Sequence, residues 1–285
     1  MAAALHIRAL EAPFAAEVAG IDLNLPLSEG ERTAVHDAFL AHQVLVFPGQ
    51  SIEKLSQIRF AEYFGPLELP VNKDYLGADH PALHVVSNLG PDGKPAPRRT
   101  LANPGNYFWH SDASYMAVPS MATLLFAIQV PPEGGDTCFA NLQLAYEALP
   151  EETRERIGGL KAIHSWAQSR LNSGSRPATE AENRLAPPVA HPLVRTHPET
   201  GRRGLYLGNH TSHIEGLAVE EGRALLADLL AHSIEPRFVY RHRWRPGDLV
   251  MWDNRCLVHR ASDDFDSTAY ARVLHRTVIK GSVPR

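Results

Sequence analysis

Apolar residues in this chain come in short runs of four to nine, each closed by Pro, Gly, Asn, Asp or a charged residue. That punctuation restricts the fold to one assembled from many short strands. Gln43 to Phe47 ends at Pro48-Gly49, Leu83 to Ser87 stands alone in loop-rich sequence, and Ala122 to Val130 and Thr137 to Asn141 bracket the turn Pro131 to Asp136. Leu193 to Thr196, Gly204 to Leu207, Phe238 to Trp244, Asp248 to Trp252 and Arg272 to Ile279 read as later strands, and Glu17 to Leu23 alternates weakly. Helical periodicity is confined to a few stretches. Ser28 with Glu31 three residues on forms a capping box opening a helix to His42, with Ala34, Val35, Ala38 and Phe39 inward. A second helix is expected from a Ser51 cap to Tyr63, with Leu55, Ile58 and Phe60 inward. Short helices follow at Leu142 to Ala148 and Glu151 to Ile157, and a longer one at Val219 to His232. The chain therefore reads as mainly β with flanking helices (α+β), built on a double-stranded β-helix, or jelly roll. Without repeats or charge blocks, residues 1–285 read as one domain, with a polar segment at 167–188 expected to act as a mobile lid.

Composition removes several function classes. The 28 Lys+Arg against 32 Asp+Glu leave a net charge of −4 and no basic surplus for phosphates, so no nucleic-acid partner is expected. The apolar run Ala122 to Val130 is about half of the roughly 20 residues needed to cross a bilayer, so no membrane partner is expected either. The first ten residues carry His6 and Arg8 and lack a signal-peptide pattern, which favours a cytoplasmic address. Cys138 and Cys256 are too few for a disulfide framework. No dinucleotide fingerprint, P-loop or G-x-S-x-G elbow occurs.

The 15 histidines, roughly twice the usual share, direct attention to a metal or anion site. In His110-Ser111-Asp112, an extended backbone puts the imidazole and the carboxylate on one face, where both can hold one ion. Chance alone supplies about 0.7 such triplets in this composition, so the pattern acquires meaning only from its context. A third ligand in a jelly roll comes from a distant segment, and His259, expected at a strand end after Asp253-Asn254, is the candidate. Two imidazoles and one carboxylate leave open positions on a ferrous ion. Further on, Arg272, Leu274, Arg276 and Val278 share one strand face. Two inward guanidinium groups require anions, whereas on an edge strand they would simply face water.

These residues make the family recognisable. The sequence resembles the taurine dioxygenase / 2,4-dichlorophenoxyacetate dioxygenase family of iron(II)- and 2-oxoglutarate-dependent oxygenases over nearly its whole length. The resemblance runs from Val18-Ala19-Gly20-Ile21-Asp22-Leu23 through Val46-Phe47-Pro48-Gly49-Gln50 and Phe64-Gly65-Pro66-Leu67 to the C-terminal arginines. Its most specific pieces are Trp109-His110-Ser111-Asp112, Gly134-Gly135-Asp136-Thr137, and Met251-Trp252-Asp253-Asn254-Arg255 ending in His259-Arg260. It is most similar to the aryloxyacetate branch, through Pro187-Pro188-Val189, Pro192 to His197, His213 to Leu217 and Phe238 to Trp244.

The resemblance implies that His110, Asp112 and His259 are the iron ligands and catalytic residues. Thr137 and Arg272 would hold the distal carboxylate of 2-oxoglutarate, with Trp252 also at the cofactor. Arg276 would face the substrate's anionic group or the near end of 2-oxoglutarate, and His210, Asn106 and Lys73 would shape the substrate pocket, while His197 and His213 would be structural. The loop Ser262 to Ala269 before Arg272 is slightly longer than the family pattern.

The implied reaction hydroxylates an aliphatic carbon beside the anionic group of a small organic substrate. It consumes iron-bound 2-oxoglutarate and O2, releases succinate and CO2, and is expected to be helped by ascorbate in vitro. An aryloxyalkanoate would then split to a phenol and an oxo acid; taurine, another alkylsulfonate or an alkyl sulfate are the alternative substrates. The resemblance also implies a homo-oligomer, dimer or tetramer. From other classes, a zinc hydrolase leaves Thr137 and the paired arginines without a role, and a non-catalytic jelly-roll binding protein has no need of three metal ligands.

Overall fold

The computed structural model describes residues 5–69, 80–97 and 104–285. Its strands are β1 (His6–Ala9), β2 (Ala15–Ala19), β3 (Val44–Phe47), β4 (Leu83–Ser87), β5 (Ser120–Gln129), β6 (Thr137–Asn141), β7 (Lys161–His164), β8 (Val189–Pro192), β9 (Val194–Thr196), β10 (Arg203–Leu205), β11 (Thr211–Ile214), β12 (Val239–His242), β13 (Leu249–Asp253), β14 (Leu257–Ala261) and β15 (Val273–Lys280). The helices are α1 (Glu29–His42), α2 (Lys54–Glu62), α3 (Leu142–Glu147), α4 (Glu151–Ile157), α5 (Trp166–Asn172), α6 (Glu180–Leu185) and α7 (Val219–Ser233).

One sheet runs in the order β1-β2-β3-β13-β5-β15-β4, and a smaller one runs β12-β6-β14. Side-chain alternation on the large sheet separates two cores. Leu249, Met251, Leu124 and Phe126 point outward, where Phe39 of α1 and Phe60 of α2 cover them. Val250, Trp252, Leu125 and Leu274 point inward against Phe139 and Leu257 of the small sheet. Each fully buried side chain of this size contributes roughly 1.5–3 kcal/mol, so the two sheets are held face to face chiefly by this inner layer. A third core gathers α3, α4 and α7 behind the small sheet. Among the described residues no helix is long and apolar enough to cross a membrane.

The capping box at Ser28 forms as expected: the hydroxyl accepts from Glu31 N and the Glu31 carboxylate accepts from Ser28 N. The second helix differs from expectation. It begins at Lys54 after a Glu53 cap that uses no side chain, and Ser51 instead offers its carbonyl to Asn24. Leu55 is exposed, because α2 turns Ser56, Gln57, Phe60 and Ala61 to the sheet; Gln57 is drawn in by the His275 carbonyl. His259 lies in the middle of β14 rather than at a strand end, since the turn at Asp253-Asn254 leads directly into another strand. Strands β1, β7, β8 and β11 are too short and too polar to stand out in the sequence. The polar segment 167–188 folds as α5 and α6, the latter started by a Thr179–Glu182 capping box.

Candidate active site

At one end of the inner layer, two distant segments are tied backbone to backbone. His110 N donates to His259 O (3.0 Å) and His259 N donates to His110 O (2.8 Å), which brings the two imidazole centroids to 4.2 Å. Asp112 completes a cluster in which one ligand atom from each residue lies within 4.8 Å of the others. His110 Nε2 is 3.7 Å from one carboxylate oxygen and His259 Nε2 is 3.8 Å from the other. The Phe108 carbonyl, an acceptor only, takes the proton of His110 Nδ1 (2.7 Å), so Nε2 is left with its lone pair toward Asp112.

Protonation suits a cation. Burial holds both imidazoles below their usual range and hence neutral, with Asp112 partly opposing the shift at His110 and His110 reinforcing it at His259. Burial pushes the Asp112 carboxyl up, but the charge of Arg276, helped by the Thr123 hydroxyl, outweighs it and keeps it ionised below the usual carboxylate range. Two neutral nitrogens and one carboxylate, gathered in a buried spot, fit a divalent transition metal such as iron(II).

Thr137 and Arg272 meet beside this cluster. In the β14–β6 register, Phe139 faces His259 and Thr137 faces Ala261, so Thr137 sits two residues along on the same face as His259. Arg272 donates from Nε to Gly135 O (2.7 Å) and from a terminal nitrogen to Thr137 Oγ1 (3.4 Å). Trp244 Nε1 also donates to Thr137 Oγ1 (3.0 Å), so the hydroxyl accepts twice and its own proton remains for an incoming acceptor. Arg272 is buried, and burial pulls its pKa down to about 10. Among the described residues its guanidinium hydrogen-bonds only uncharged oxygens, and a buried cation so placed fits an anionic ligand.

The glycines beside it are required by close approach. Gly134 has φ of +73°, and a Cβ there would lie 2.4 Å from Asp264 O; a Cβ on Gly135, at φ of +66°, would lie 3.3 Å from Arg272 Cδ. Arg241 clamps Asp136 and Asp264 together, fixing the longer loop before Arg272 against β6.

Arg276, within β15, reaches the His110–Asp112–His259 cluster, with one terminal nitrogen 2.5 Å from Asp112 Oδ1 and the other 3.3 Å from His84 Nε2. Trp252 is fully buried; its ring lies 4.6 Å from that of His259 and its indole N–H donates to Asn254, so it backs His259 from the core. His210 is buried with its ring 5.9 Å from His110. Burial, reinforced by His110, lowers its pKa to about 3, so it offers a neutral hydrogen bond, and Nδ1 already meets Ser114 Oγ at 3.0 Å. Asn106 sits in a 3-10 turn (Pro104–Tyr107) and lines a chamber of about 40 Å³ with His110, His210, and Trp166 and Arg170 of α5. Lys73 lies outside the described residues. His197 is locked in place: two backbone N–H groups donate to its Nδ1, so its Nε2 proton goes to Asp253 (3.0 Å). Among the described residues, His213 Nδ1 is 3.0 Å from Ser212 Oγ.

Several neighbours escaped the reading of the sequence. His84 follows from pairing β4 with β15, which puts it opposite Arg276, but that pairing is invisible before folding. Arg170 stands in the segment expected to act as a mobile lid, and Trp166 immediately precedes it. Thr123 and Asn254, both fully buried, contact Asp112.

A family model described as taurine catabolism dioxygenase TauD, TfdA family matches residues 6–278. The chain is 42% identical over 276 residues to an alpha-ketoglutarate-dependent 2,4-dichlorophenoxyacetate dioxygenase of Cupriavidus pinatubonensis, covering 95% of this chain and 96% of that one. It is 36% identical over 273 residues to an (S)-phenoxypropionate/alpha-ketoglutarate-dioxygenase of Sphingobium herbicidovorans, covering 92% and 91%. Among solved structures, AAD-2 in complex with Mn(II) and N-oxalylglycine superposes with a TM-score of 0.88 at 40% identity, over 99% of this chain and 98% of that one.

Proposed function

The chain belongs to the TauD, TfdA family of iron(II)- and 2-oxoglutarate-dependent dioxygenases, and from that premise we propose that its primary substrate is an aryloxyalkanoate. The observation that carries this reading is agreement between relatives and site: the two relatives above are named for 2,4-dichlorophenoxyacetate and (S)-phenoxypropionate, and the chamber beside His110 pairs an aromatic wall, Trp166, with a cation, Arg170. Trp166 and Arg170 offer the contacts that an aryl ring and a short anionic arm call for, and the chamber, about 40 Å³ in this structure, must open to admit them.

We assign His110, Asp112 and His259 to iron, and Thr137 with Arg272 to the distal carboxylate of 2-oxoglutarate. N-oxalylglycine, which occupies AAD-2 with Mn(II), has the same spacing of two carboxylates about a carbonyl, which supports a shared mode of binding. When bound, iron supplies O2 activation coupled to decarboxylation of 2-oxoglutarate, giving succinate, CO2 and a hydroxylated substrate. The protein's own part is positional. Phe108 O and the backbone pair between residues 110 and 259 aim the two Nε2 atoms, and Trp252 and Phe139 exclude water behind His259. The Thr137 hydroxyl donates to the carboxylate that Arg272 neutralises. Arg276, beside Asp112, meets the anionic ligand nearer the metal, and neutral His210 and Asn106 supply hydrogen bonds in the substrate chamber. Hydroxylation next to an aryl ether oxygen gives a hemiacetal, which collapses to a phenol and an oxo acid.

The same reading takes residues 1–285 as one domain in which α5 and α6 cover the site, and places the protein in the cytoplasm, which two buried free thiols support. It also takes the protein as a homo-oligomer, supported by exposed Leu25 and Leu55 beside the two leading helices. The test is succinate formation from 2-oxoglutarate with iron(II), ascorbate and air, using a panel of phenoxyacetates, phenoxypropionates, taurine, other sulfonates and alkyl sulfates. Stimulation by the phenoxy acids over a no-substrate control is expected; stimulation confined to sulfonates or sulfates overturns the substrate class.

A further inference from the structure

Behind Asp112 the hydrogen-bond directions can be assigned without ambiguity. Asn254 Oδ1 faces two groups that can only donate, the Asp112 backbone N–H (3.2 Å) and the Trp252 indole N–H (3.1 Å). The amide oxygen must therefore point there, and Nδ2 donates to Thr123 Oγ1 at 2.9 Å. With that lone pair occupied, the Thr123 hydroxyl proton goes to Asp112 Oδ2 at 2.6 Å. Ser111 Oγ donates to the Asn254 carbonyl (2.7 Å), and Asn254 N donates to Met121 O (2.9 Å), so the residue joins the 110–112 segment, β5 and the end of β13. Thr123, Asn254 and Asp112 are all buried, so no water replaces a lost partner cheaply.

We infer that Thr123 and Asn254 are positioning residues for the metal site, a one-way relay that sets the orientation of the Asp112 carboxylate before the ion arrives. The inference rests on the reading of His110, Asp112 and His259 as an iron centre. Its content is directional: an amide at 254 supplies a proton to Thr123, so Thr123 can supply its own to Asp112. Asn254→Asp keeps the shape and still accepts from the two N–H groups, but it takes the Thr123 proton instead of supplying one, and Asp112 Oδ2 loses its donor. Thr123→Val removes the hydroxyl at equal volume, and Thr123→Ser keeps it.

The experiment is titration of the metal-free full chain with Co(II), followed by calorimetry and visible absorption, with circular dichroism and thermal melting to establish folding. Wild type and Thr123→Ser are expected to bind within a few-fold of each other with the same absorption band. Thr123→Val and Asn254→Asp are expected to remain folded and to bind about 10–100-fold more weakly, with a shifted band. A purely structural role would lower the melting temperature of these variants without changing the affinity or the band. Wild-type affinity and an unchanged band in folded Thr123→Val would overturn the relay while leaving the metal site standing. Failure of the wild-type chain to bind Co(II) would overturn the metal site and the relay with it. If Asn254→Asp does not fold, the Thr123→Val and Thr123→Ser pair decides.

Discussion

Replacing Arg272 with Met should move stability and co-substrate use in opposite directions. In the metal-free chain the Arg272 guanidinium is buried beside the Gly135 carbonyl and the Thr137 hydroxyl, and burial pulls its pKa down to about 10, a displacement worth about 3 kcal/mol against the charged form. At neutral pH the group is charged in both folded and unfolded chains, so folding bears that cost and a Met removes it. The opposing loss is about 1 kcal/mol for the Gly135 carbonyl left without its donor, while the backbone bond from residue 272 to Asn88 survives. The ligand-free variant should therefore melt no lower than wild type and up to about 8 °C higher, at roughly 2–4 °C per kcal/mol for a chain of this size. Binding of 2-oxoglutarate behaves differently, because its distal carboxylate loses a buried charged partner worth about 2–4 kcal/mol, which is about 30- to 1000-fold in apparent affinity. Differential scanning calorimetry of the ligand-free chain and succinate production against 2-oxoglutarate concentration measure the two quantities. A variant that melts several degrees lower yet uses 2-oxoglutarate normally would refute the assignment, since it would make Arg272 a structural cation.

Other expectations follow from the same geometry. His110→Ala or Asp112→Ala should abolish both iron binding and iron-dependent turnover, and retained turnover in either variant would remove it from the ligand set. Gly135→Ala places a methyl 2.9 Å from Pro131 and 3.3 Å from Arg272 Cδ at a positive φ. It should lower stability by about 1–3 kcal/mol and raise the 2-oxoglutarate requirement as Arg272 is displaced; unchanged kinetics would show that Arg272 has slack. Hydrogen bonds from Arg176, opposed by burial, hold the Glu182 carboxyl down to about 2, so the support it gives to α6 is complete above about 4.5 and is lost as pH falls toward about 2. Amide exchange across 176–185 should quicken in that window before exchange in the sheets does, and acceleration only when the whole fold opens would count against this.

The strongest local signals in the chain survived folding unchanged. The Ser28–Glu31 capping box and the helix Glu151–Ile157 depend on contacts within a few residues, which are written in neighbouring letters, whereas the strands Leu83–Ser87 and Thr137–Asn141 were legible as apolar runs although their ladder partners lie far along the chain. The second helix departs from its sequence pattern for the same reason in reverse. What turned Gln57 inward and left Leu55 exposed is a carbonyl 218 residues away, at His275.

In the site, residue types and spacing marked His110, Asp112, His259 and the paired arginines as candidates, the family resemblance gave them their proposed roles, and the fold gathers one ligand atom from each of the first three within 4.8 Å of one another. Residue types and spacing did not determine how those groups are held. The pairing of residue 110 with 259, the approach of Arg276 to Asp112, the tautomer enforced by Phe108, and the Thr123–Asn254 relay join segments between 11 and 164 residues apart, or depend on which way a backbone carbonyl points. Hydrogen bonds act only over about 3 Å and along set directions. The sequence alone determines which donors and acceptors exist, and only the packing of two sheets decides which of them meet.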